Sequence, residues 1–366
     1  MTAHRYIDSN SALADAASGW GRVLAIDTEF MRTDTFFARP GLYQIASEDS
    51  ILLADPVAID DWTPLVEALE DPAVTVVMHS CSEDLELLYS HLGVQPTRLK
   101  DTQLMQAFLS PDYSLSYAAL VARWREIEIS KAATRSDWLK RPLTEAQRHY
   151  AAADVLYLGG IYQDMHESLE RLGRSRWCDE EAAERLRFRG ADPDRYYLQV
   201  KSAWRLDEES LYRLRALCAW REREAMQLDR PRNRVVRDDW LLALAKAPRL
   251  GSAQLKEQLP PGAVKRFGPA LRTLHEDPLE GYAEQPLLEP EAPLSTGQNK
   301  AVQALREFAR GVAEELDMAP ELLARKREIE SLVREYLREG ELPTLAGSWR
   351  APLLLERFRT LLAGAL

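Results

Sequence analysis

Little in these 366 residues points to a secreted, zinc-knuckle or membrane protein. Cysteine is scarce. Cys81, Cys178 and Cys218 are odd in number and far apart, so neither a disulfide framework nor a CxxC zinc motif is available. A reducing interior suits them. No run of about 18 apolar residues occurs, which excludes a membrane-spanning helix. The first twenty residues lack the basic start and apolar stretch of a signal peptide. A cytoplasmic protein with no membrane partner is expected. Basic excess is also missing: 47 Lys and Arg face 58 Asp and Glu, a net charge of −11. A polyanion is usually met by a basic surface, so this balance argues at first against nucleic acid. The halves differ, however. Residues 1–170 hold 26 acids and 13 bases, whereas residues 171–366 hold 32 and 34. All of the negative excess lies in the first half, and that asymmetry needs a reason.

What is present begins with an α/β pattern over the first 170 residues. Val23–Ile26 reads as a buried strand. Leu42–Ala46 and Ile51–Ala54 follow, with a gap between them too short for a helical crossover, so they should pair antiparallel. Val74–Met78 is a further strand. Helices are expected near Thr63–Leu69, Ser82–Leu92 (with Ser82 as its N-cap), Thr102–Leu109, Leu115–Val121 and Thr144–Leu169. The sheet is therefore mixed.

From about residue 205 the pattern is helical throughout, and it repeats at an offset of 88 residues. Leu214, Leu217, Trp220, Ala225, Leu228 and Asp229 recur as Val302, Leu305, Phe308, Ala313, Leu316 and Asp317. The spacing places the apolar members on one helical face. Leu241 and Leu244 recur as Ile329 and Leu332. Between the copies, residues 284–296 carry three prolines and no periodicity, as a linker does. One α/β module and two small helical ones are expected.

The chemistry-bearing residues are acids. Asp27 and Glu29 end the first strand and, by alternation, share a face, with Thr28 opposed. At about 4 Å and an effective dielectric near 20 two such carboxylates repel by roughly 4 kcal/mol, so a cation is needed to offset them. For an isolated pair, a solvated strand end is the favoured reading over a metal site. His79, then Glu83 and Asp84, follow the Val74–Met78 strand and open a helix, where an acid can simply complement the helix dipole. Downstream, Tyr150 and Asp154 are four apart on one helical face, and the three alanines between them leave that face open to close approach.

Together these segments are far more specific than any one alone. In the order DxE, then D, then YxxxD, the sequence resembles the DEDD 3′–5′ exonucleases, and within them the ribonuclease D family. LAIDTEFMR is similar to the first exonuclease motif, VMHSCSEDLELL to the second, and SDWLKRPLTEAQRHYAAADVLYL to the third with its approach. The two helical copies resemble HRDC modules, the first, in LCAWREREAMQLDRPRNRVVRDDWLLALAKAPR, more clearly than the second. The resemblance implies a ribonuclease H-like exonuclease domain with a mixed five-stranded sheet at residues 1–204. An HRDC-like domain at 205–284, a linker at 285–296 and a second, divergent HRDC-like domain at 297–366 would follow.

It further implies a metal-dependent 3′–5′ exoribonuclease that releases nucleoside 5′-monophosphates from RNA bearing a free 3′ end, with precursor tRNA and tRNA 3′ maturation as the expected context. Two Mg²⁺ or Mn²⁺ ions need a cluster of hard oxygen ligands. Carried over by the resemblance, Asp27, Glu29 and Asp154 would hold the nucleophile-side ion, Asp27 would bridge both, and Asp84 would serve the second. Tyr150 would orient the attacking water. His149 also lies five residues before Asp154, the spacing of a related subgroup. Four helical residues turn about 400° and five about 500°, so Tyr150 lies some 40° from Asp154 and His149 about 140°. That favours Tyr150. Thr28, Phe30, Gln44 and His79 are further candidates for substrate contact. Trp124, Trp138, Trp204 and Trp220 are candidates for base stacking or for the core. Arg185–Arg189 and Arg232–Arg237, with Lys246 and Arg249, are the basic patches most suited to RNA, or else solvated faces. A 3′–5′ DNA exonuclease on the same site is the alternative. No polymerase region and no GxxxxGK[ST] P-loop accompanies it, which weakens that reading. A non-catalytic adaptor is disfavoured because all four acids and the tyrosine are intact. A monomer is expected.

Overall fold

Strand β2 (Val23–Met31) is the axis of the fold, and its apolar first half, Leu24 to Ile26, is fully buried. The computed structural model describes residues 4–48, 50–129, 136–278 and 285–365. The other strands are β1 (Arg5–Ile7), β3 (Arg39–Ser47), β4 (Ser50–Ala54), β5 (Thr75–Met78) and β6 (Leu99–Asp101), in the spatial order β1-β4-β3-β2-β5-β6. β3 and β4 form an antiparallel hairpin with Gln44 opposite Leu53. β5 runs parallel to β2 with Ala25 opposite Val77, and β6 parallel to β5 with Met78 opposite Asp101. β1 lies parallel along β4. The sheet is mixed as expected but has six strands, not five. β1 and β6 hold three residues each, too few to show an alternating pattern.

Helices α1 (Asn10–Ala17), α2 (Thr63–Glu70), α3 (Ser82–Leu92), α4 (Thr102–Leu109), α5 (Tyr117–Arg125), α6 (Glu145–Leu156), α7 (Leu158–Arg171) and α8 (Ser175–Arg185) accompany the sheet. The single helix expected over Thr144–Leu169 is two, because the chain breaks at Tyr157 between α6 and α7. The break is held from outside: the Tyr157 amide donates to the Tyr117 hydroxyl at 3.3 Å, and that hydroxyl donates to the Ala153 carbonyl at 3.3 Å. Neither bond joins sequence neighbours, so periodicity alone does not reveal them. Ser82 is the first residue of α3 rather than its N-cap. Cys81 takes the cap position without a side-chain bond, since the turn before it is organised by Asp101.

α6 begins at a complete capping box. The Thr144 hydroxyl accepts from the Gln147 amide at 3.2 Å, and the Gln147 side chain accepts from the Thr144 amide at 3.0 Å. Its small residues Ala151 and Ala152, with Val155, pack on Ala25, Leu42, Leu53 and Val77 of the sheet. That close approach brings α6 onto the face carrying the odd-numbered residues of β2.

The helical half keeps the 88-residue offset element by element. α9 (Glu208–Gln227), α10 (Arg232–Val235), α11 (Asp238–Lys246), α12 (Ser252–Gln258) and α13 (Pro261–Glu276) form the first copy. α14 (Thr296–Glu315), α15 (Glu321–Ala324), α16 (Lys326–Glu339), α17 (Pro343–Ala346) and α18 (Ala351–Ala365) form the second. The first helix of each copy has 20 residues, and each is followed by an aspartate in the left-handed region, Asp229 at φ 44° and Asp317 at φ 48°. Aspartate is among the few residues that adopt that conformation readily.

Compactness groups the chain differently from its order. One unit comprises Met1–Met31, Pro40–Phe188 and Leu294–Leu366, and the other Arg32–Arg39 and Arg189–Pro293. In the first, the second helical copy shares a core with helices of the α/β half: Leu305, Ala309, Leu322, Val333 and Phe358 join Leu104, Phe108, Ile161 and Met165. The Ala319 amide donates to the Ala107 carbonyl at 2.8 Å, and Arg174 donates to the Phe108 carbonyl at 2.6 Å and to that of Leu316. In the second unit, α9–α13 build their own core around Leu214, Leu217, Leu241, Leu244 and Leu271. There Asp229 also accepts the amides of Phe36 and Phe37, each at 3.0 Å. Residues 279–284, at the expected end of the first helical domain, lie outside the described residues.

Candidate active site

Three carboxylates from two elements meet on the α6 face of the sheet, and a fourth, Asp84, reaches the same strand end from a third element. Asp27 and Glu29 come from β2, Asp154 from α6, and Asp84 from the first turn of α3, which follows β5 beside β2. Ligand oxygens of Asp27, Glu29 and Asp154 all lie within 4.8 Å of one another. Asp84 is buried, and its Oδ1 accepts the Thr28 hydroxyl at 2.5 Å. Thr28 is thus turned away from Asp27 and Glu29 yet serves the same cluster through Asp84.

The electrostatics are those of like charges held together. Burial, then Asp84, Asp154 and Glu29, push the Asp27 carboxyl well above the usual carboxylate range. Burial, with Asp154 and Asp84, pushes Glu29 up to about 9. Burial likewise raises Asp84 against the opposing bond from Thr28, and raises Asp154 against a bond from Tyr150. Glu29 holds its proton at neutral pH, and Asp84 and Asp154, raised to about 6 and about 7, hold theirs in part. Such a cluster can exchange protons for cations, and its hard oxygen donors suit Mg²⁺ or Mn²⁺.

Tyr150 and His149 part company here. The Tyr150 side chain hydrogen-bonds Asp154 and packs in the α6 core, its ring 6.1 Å from that of Trp138. The His149 ring instead lies edge-on to His4, with centroids 5.5 Å apart. Trp138 needs room against β3, which Gly41 supplies: a Cβ there would sit 2.7 Å from the Trp138 Cβ. Phe30 is half-buried just beyond Glu29. Gln44 lies on the same sheet face as Leu42 by alternation, fully buried, with neither amide atom hydrogen-bonded. A buried amide without partners carries an unrelieved desolvation cost. His79 is not brought to the carboxylates by its bonds: its ring nitrogens meet Thr102 Oγ1 at 2.9 Å and the Leu115 carbonyl at 3.0 Å.

Sequence reasoning missed Asp101. It is fully buried at the end of β6, ion-paired with Arg185, and it accepts the amides of Ser80 and Cys81 at 3.0 and 3.2 Å. It also caps α4 through the amides of Gln103 and Leu104. The turn that delivers Asp84 therefore hangs on one carboxylate. Burial alone would raise Asp101, but Arg185 and then His79 hold it below the usual range. A single aspartate preceding Thr102 gives no sign of this beyond its capping position. Arg185, expected in a basic patch for RNA, is thus committed inside the protein. Arg232 pairs with Glu222 at 2.9 Å, and Arg237 with Asp239 at 3.0 Å. Trp138 is buried, Trp124 donates to Gln106 at 2.8 Å and Trp220 packs edge-on to Phe267, so among the four tryptophans Trp204 is the exposed one.

Comparison with known proteins agrees with this arrangement. The family model for 3′–5′ exonuclease domains matches residues 4–170, and that for the HRDC domain matches residues 210–272. The chain is 39% identical to ribonuclease D of Pseudomonas paraeruginosa over 94% of each sequence. It is 33% identical to ribonuclease D of Escherichia coli over 97% of this chain and 96% of that one. The crystal structure of Escherichia coli RNase D, described as an exoribonuclease involved in structured RNA processing, superposes with a TM-score of 0.89 at 32% identity, covering 99% of both chains.

Proposed function

The chain belongs to the ribonuclease D family of 3′–5′ exoribonucleases, and we propose that it trims the 3′ ends of structured RNA, precursor tRNA above all, releasing nucleoside 5′-monophosphates. The observation that carries this reading is the convergence of Asp27, Glu29 and Asp154 oxygens within 4.8 Å, with Asp84 beside them. Like charges so placed are costly unless cations share them. Two Mg²⁺ or Mn²⁺ ions, when bound, would acidify the attacking water and stabilise the leaving 3′-oxygen.

This chain's own residues do the rest. Asp27, Glu29 and Asp154 would hold one ion, and Asp27 with Asp84, which is fixed by the Thr28 hydroxyl, would serve the other. Tyr150 keeps the attacking water in place, with Asp154 fixing the phenol. The backbone at Thr28, the Phe30 ring and the Gln44 amide line the terminal nucleotide's place. His79 supports the site by tying β5's exit to α4 and to the Leu115 segment. The helical modules, 205–284 and 297–366, grip the body of the substrate. A cytoplasmic monomer fits three free, buried cysteines and, among the described residues, no helix long and apolar enough to cross a membrane.

The test is single-nucleotide release from 3′-hydroxyl RNA. Release in Mg²⁺ or Mn²⁺, abolished by EDTA and by Asp27→Ala, supports the reading, and faster trimming of precursor tRNA than of a DNA strand supports the substrate. Equal rates on DNA would replace RNA by DNA as the substrate class. Activity that survives Asp27→Ala would remove the site.

A further inference from the structure

The loop between β2 and β3, Arg32–Arg39, packs as part of the unit that contains Arg189–Pro293, although the strands on either side of it belong to the other unit. Both strands bear on the site. β2 carries Asp27 and Glu29 and ends two residues later at Met31, and β3 carries Gln44. A surface loop is ordinarily among the more mobile parts of a fold. This one is fastened at three points. Asp229 Oδ1 accepts the consecutive amides of Phe36 and Phe37, each at 3.0 Å. The Phe36 ring packs against the core of α9–α13. The Arg232 guanidinium lies over that ring at 5.3 Å and over the Tyr196 ring at 5.0 Å.

The base of this clamp is itself fixed. Arg232 donates to Glu222, a fully buried residue of α9, from Nε at 3.0 Å and from Nη2 at 2.9 Å. The turn that holds Asp229, by contrast, does not require a carboxylate. At φ 44° it asks for a residue that tolerates the left-handed region, as glycine and asparagine also do. What the aspartate adds at this position is an acceptor for two successive amides of the loop, a stronger one for being charged.

We propose that Asp229 is a positioning residue for the phosphodiester chemistry: by holding Phe36 and Phe37 it fixes the exit of β2, and with it the placement of Glu29. The first helical copy then acts on the reaction itself, besides any grip on the substrate. A group misplaced by about 1 Å can cost on the order of 10²-fold in rate, so an anchor outside the cluster can matter to it. Arg232, offered by its charge as an RNA contact, is instead the platform on which Phe36 rests. The inference rests on the exonuclease reading of the Asp27 cluster.

Two substitutions in the full chain separate the anchor from the turn. Asp229→Gly keeps the turn and removes the acceptor, whereas Asp229→Asn keeps the turn and a neutral acceptor. On a short oligoribonucleotide Asp229→Gly should lower kcat by about tenfold or more with KM little changed, and Asp229→Asn should retain most of the rate. In the metal-free protein, hydrogen exchange over residues 28–39 should quicken in Asp229→Gly and not in Asp229→Asn. Phe36→Ala loosens the loop from its own side and should lower kcat in the same way even if Asp229→Gly folds poorly. Wild-type rates in both Asp229→Gly and Phe36→Ala, a loss confined to KM, or equal losses in the glycine and asparagine variants would overturn the proposal. A wild-type chain inactive on RNA would sink the exonuclease reading instead. Exchange over residues 28–39 that is the same in every variant would then overturn the anchor on its own.

Discussion

Two sets of buried carboxylates in this protein have opposite fates. Asp101 and Asp55 are each matched to an arginine, Arg185 and Arg141, and both are held below the ordinary carboxylate range despite burial. Asp55 takes Arg141 Nε at 2.6 Å and Tyr6 as a further donor. Asp27, Glu29, Asp84 and Asp154 face chiefly one another and are all raised. The first set pins segments that order the site: Asp101 the turn before α3, and Arg141 the approach to α6 through the carbonyls of Gly41 and Trp138. The second has no cationic partner among the described residues and forms the proposed metal site. Carboxylates that the fold needs for itself are satisfied inside it, and those proposed for function would be completed from outside.

The comparison breaks if removing a charge has the same effect in both sets. Asp27→Asn should lower exonuclease turnover by about 10³-fold or more, some 4 kcal/mol. It should also raise the melting temperature of the metal-free protein, because the substitution removes the cost of taking up a proton at this position on folding. Steady-state rates and a thermal melt in EDTA measure both. A destabilised Asp27→Asn protein would place Asp27 with the structural set.

Asp101→Asn should do the reverse. It strands the Arg185 guanidinium at a largely buried position and takes charge from an acceptor of four backbone amides, costing about 3 kcal/mol in urea unfolding. Activity should fall in proportion to the disturbed Ser80–Cys81 turn, and recover in part at high Mg²⁺ if Asp84 is only displaced. Unchanged stability would mean that the Asp101–Arg185 pair holds nothing.

A smaller effect separates the two neighbours on α6. Tyr150→Phe keeps the ring and removes the hydroxyl on Asp154, and should slow turnover by about 10²-fold. His149→Ala should leave the rate unchanged, since that ring packs on His4. The opposite pattern would hand the role to the histidine.

These contrasts show how much of the site a sequence carries. Asp27 and Glu29 are legible because strand alternation puts both on one face, and Tyr150 with Asp154 because helical spacing does the same. Asp84 is distinguishable from Glu83 only by resemblance, as either suits the start of a helix. Asp101 is opaque: its partner lies 84 residues away, and no local pattern encodes a pairing at that distance. The 88-residue repeat is visible from its apolar positions, down to the aspartate after the first helix. Which surface covers each copy is not, because periodicity reports that a helix face is apolar and never what packs on it. Hence the second copy, whose residues read as a separate module, shares a core with α4 and α7. A chain cut near residue 205 would expose that core, so loss of RNA binding on truncation would not by itself report on the helical modules.

The smallest effect expected is also the one with the clearest sign. Glu29 titrates near 4.5 when unfolded and at about 9 in the metal-free fold, and its three partners are shifted the same way. Between those values the folded state holds protons that the unfolded chain has released, so its stability falls as pH rises. The Asp101 and Asp55 pairs do not move in this window, since their lowered carboxyls give up stability only as pH falls below the usual carboxylate range. His79 and His91, lowered by burial, act in the opposite direction near pH 6.5. The useful quantity is therefore a difference that cancels them, the melting temperature with Mn²⁺ minus that in EDTA. It should widen by a few degrees from about pH 5 to pH 9, as cations replace protons on the cluster, and Asp27→Asn should flatten its slope. A gap that stays constant across that range would mean that the four carboxylates are already ionised without metal, and the contrast between the two sets would collapse to one of position alone.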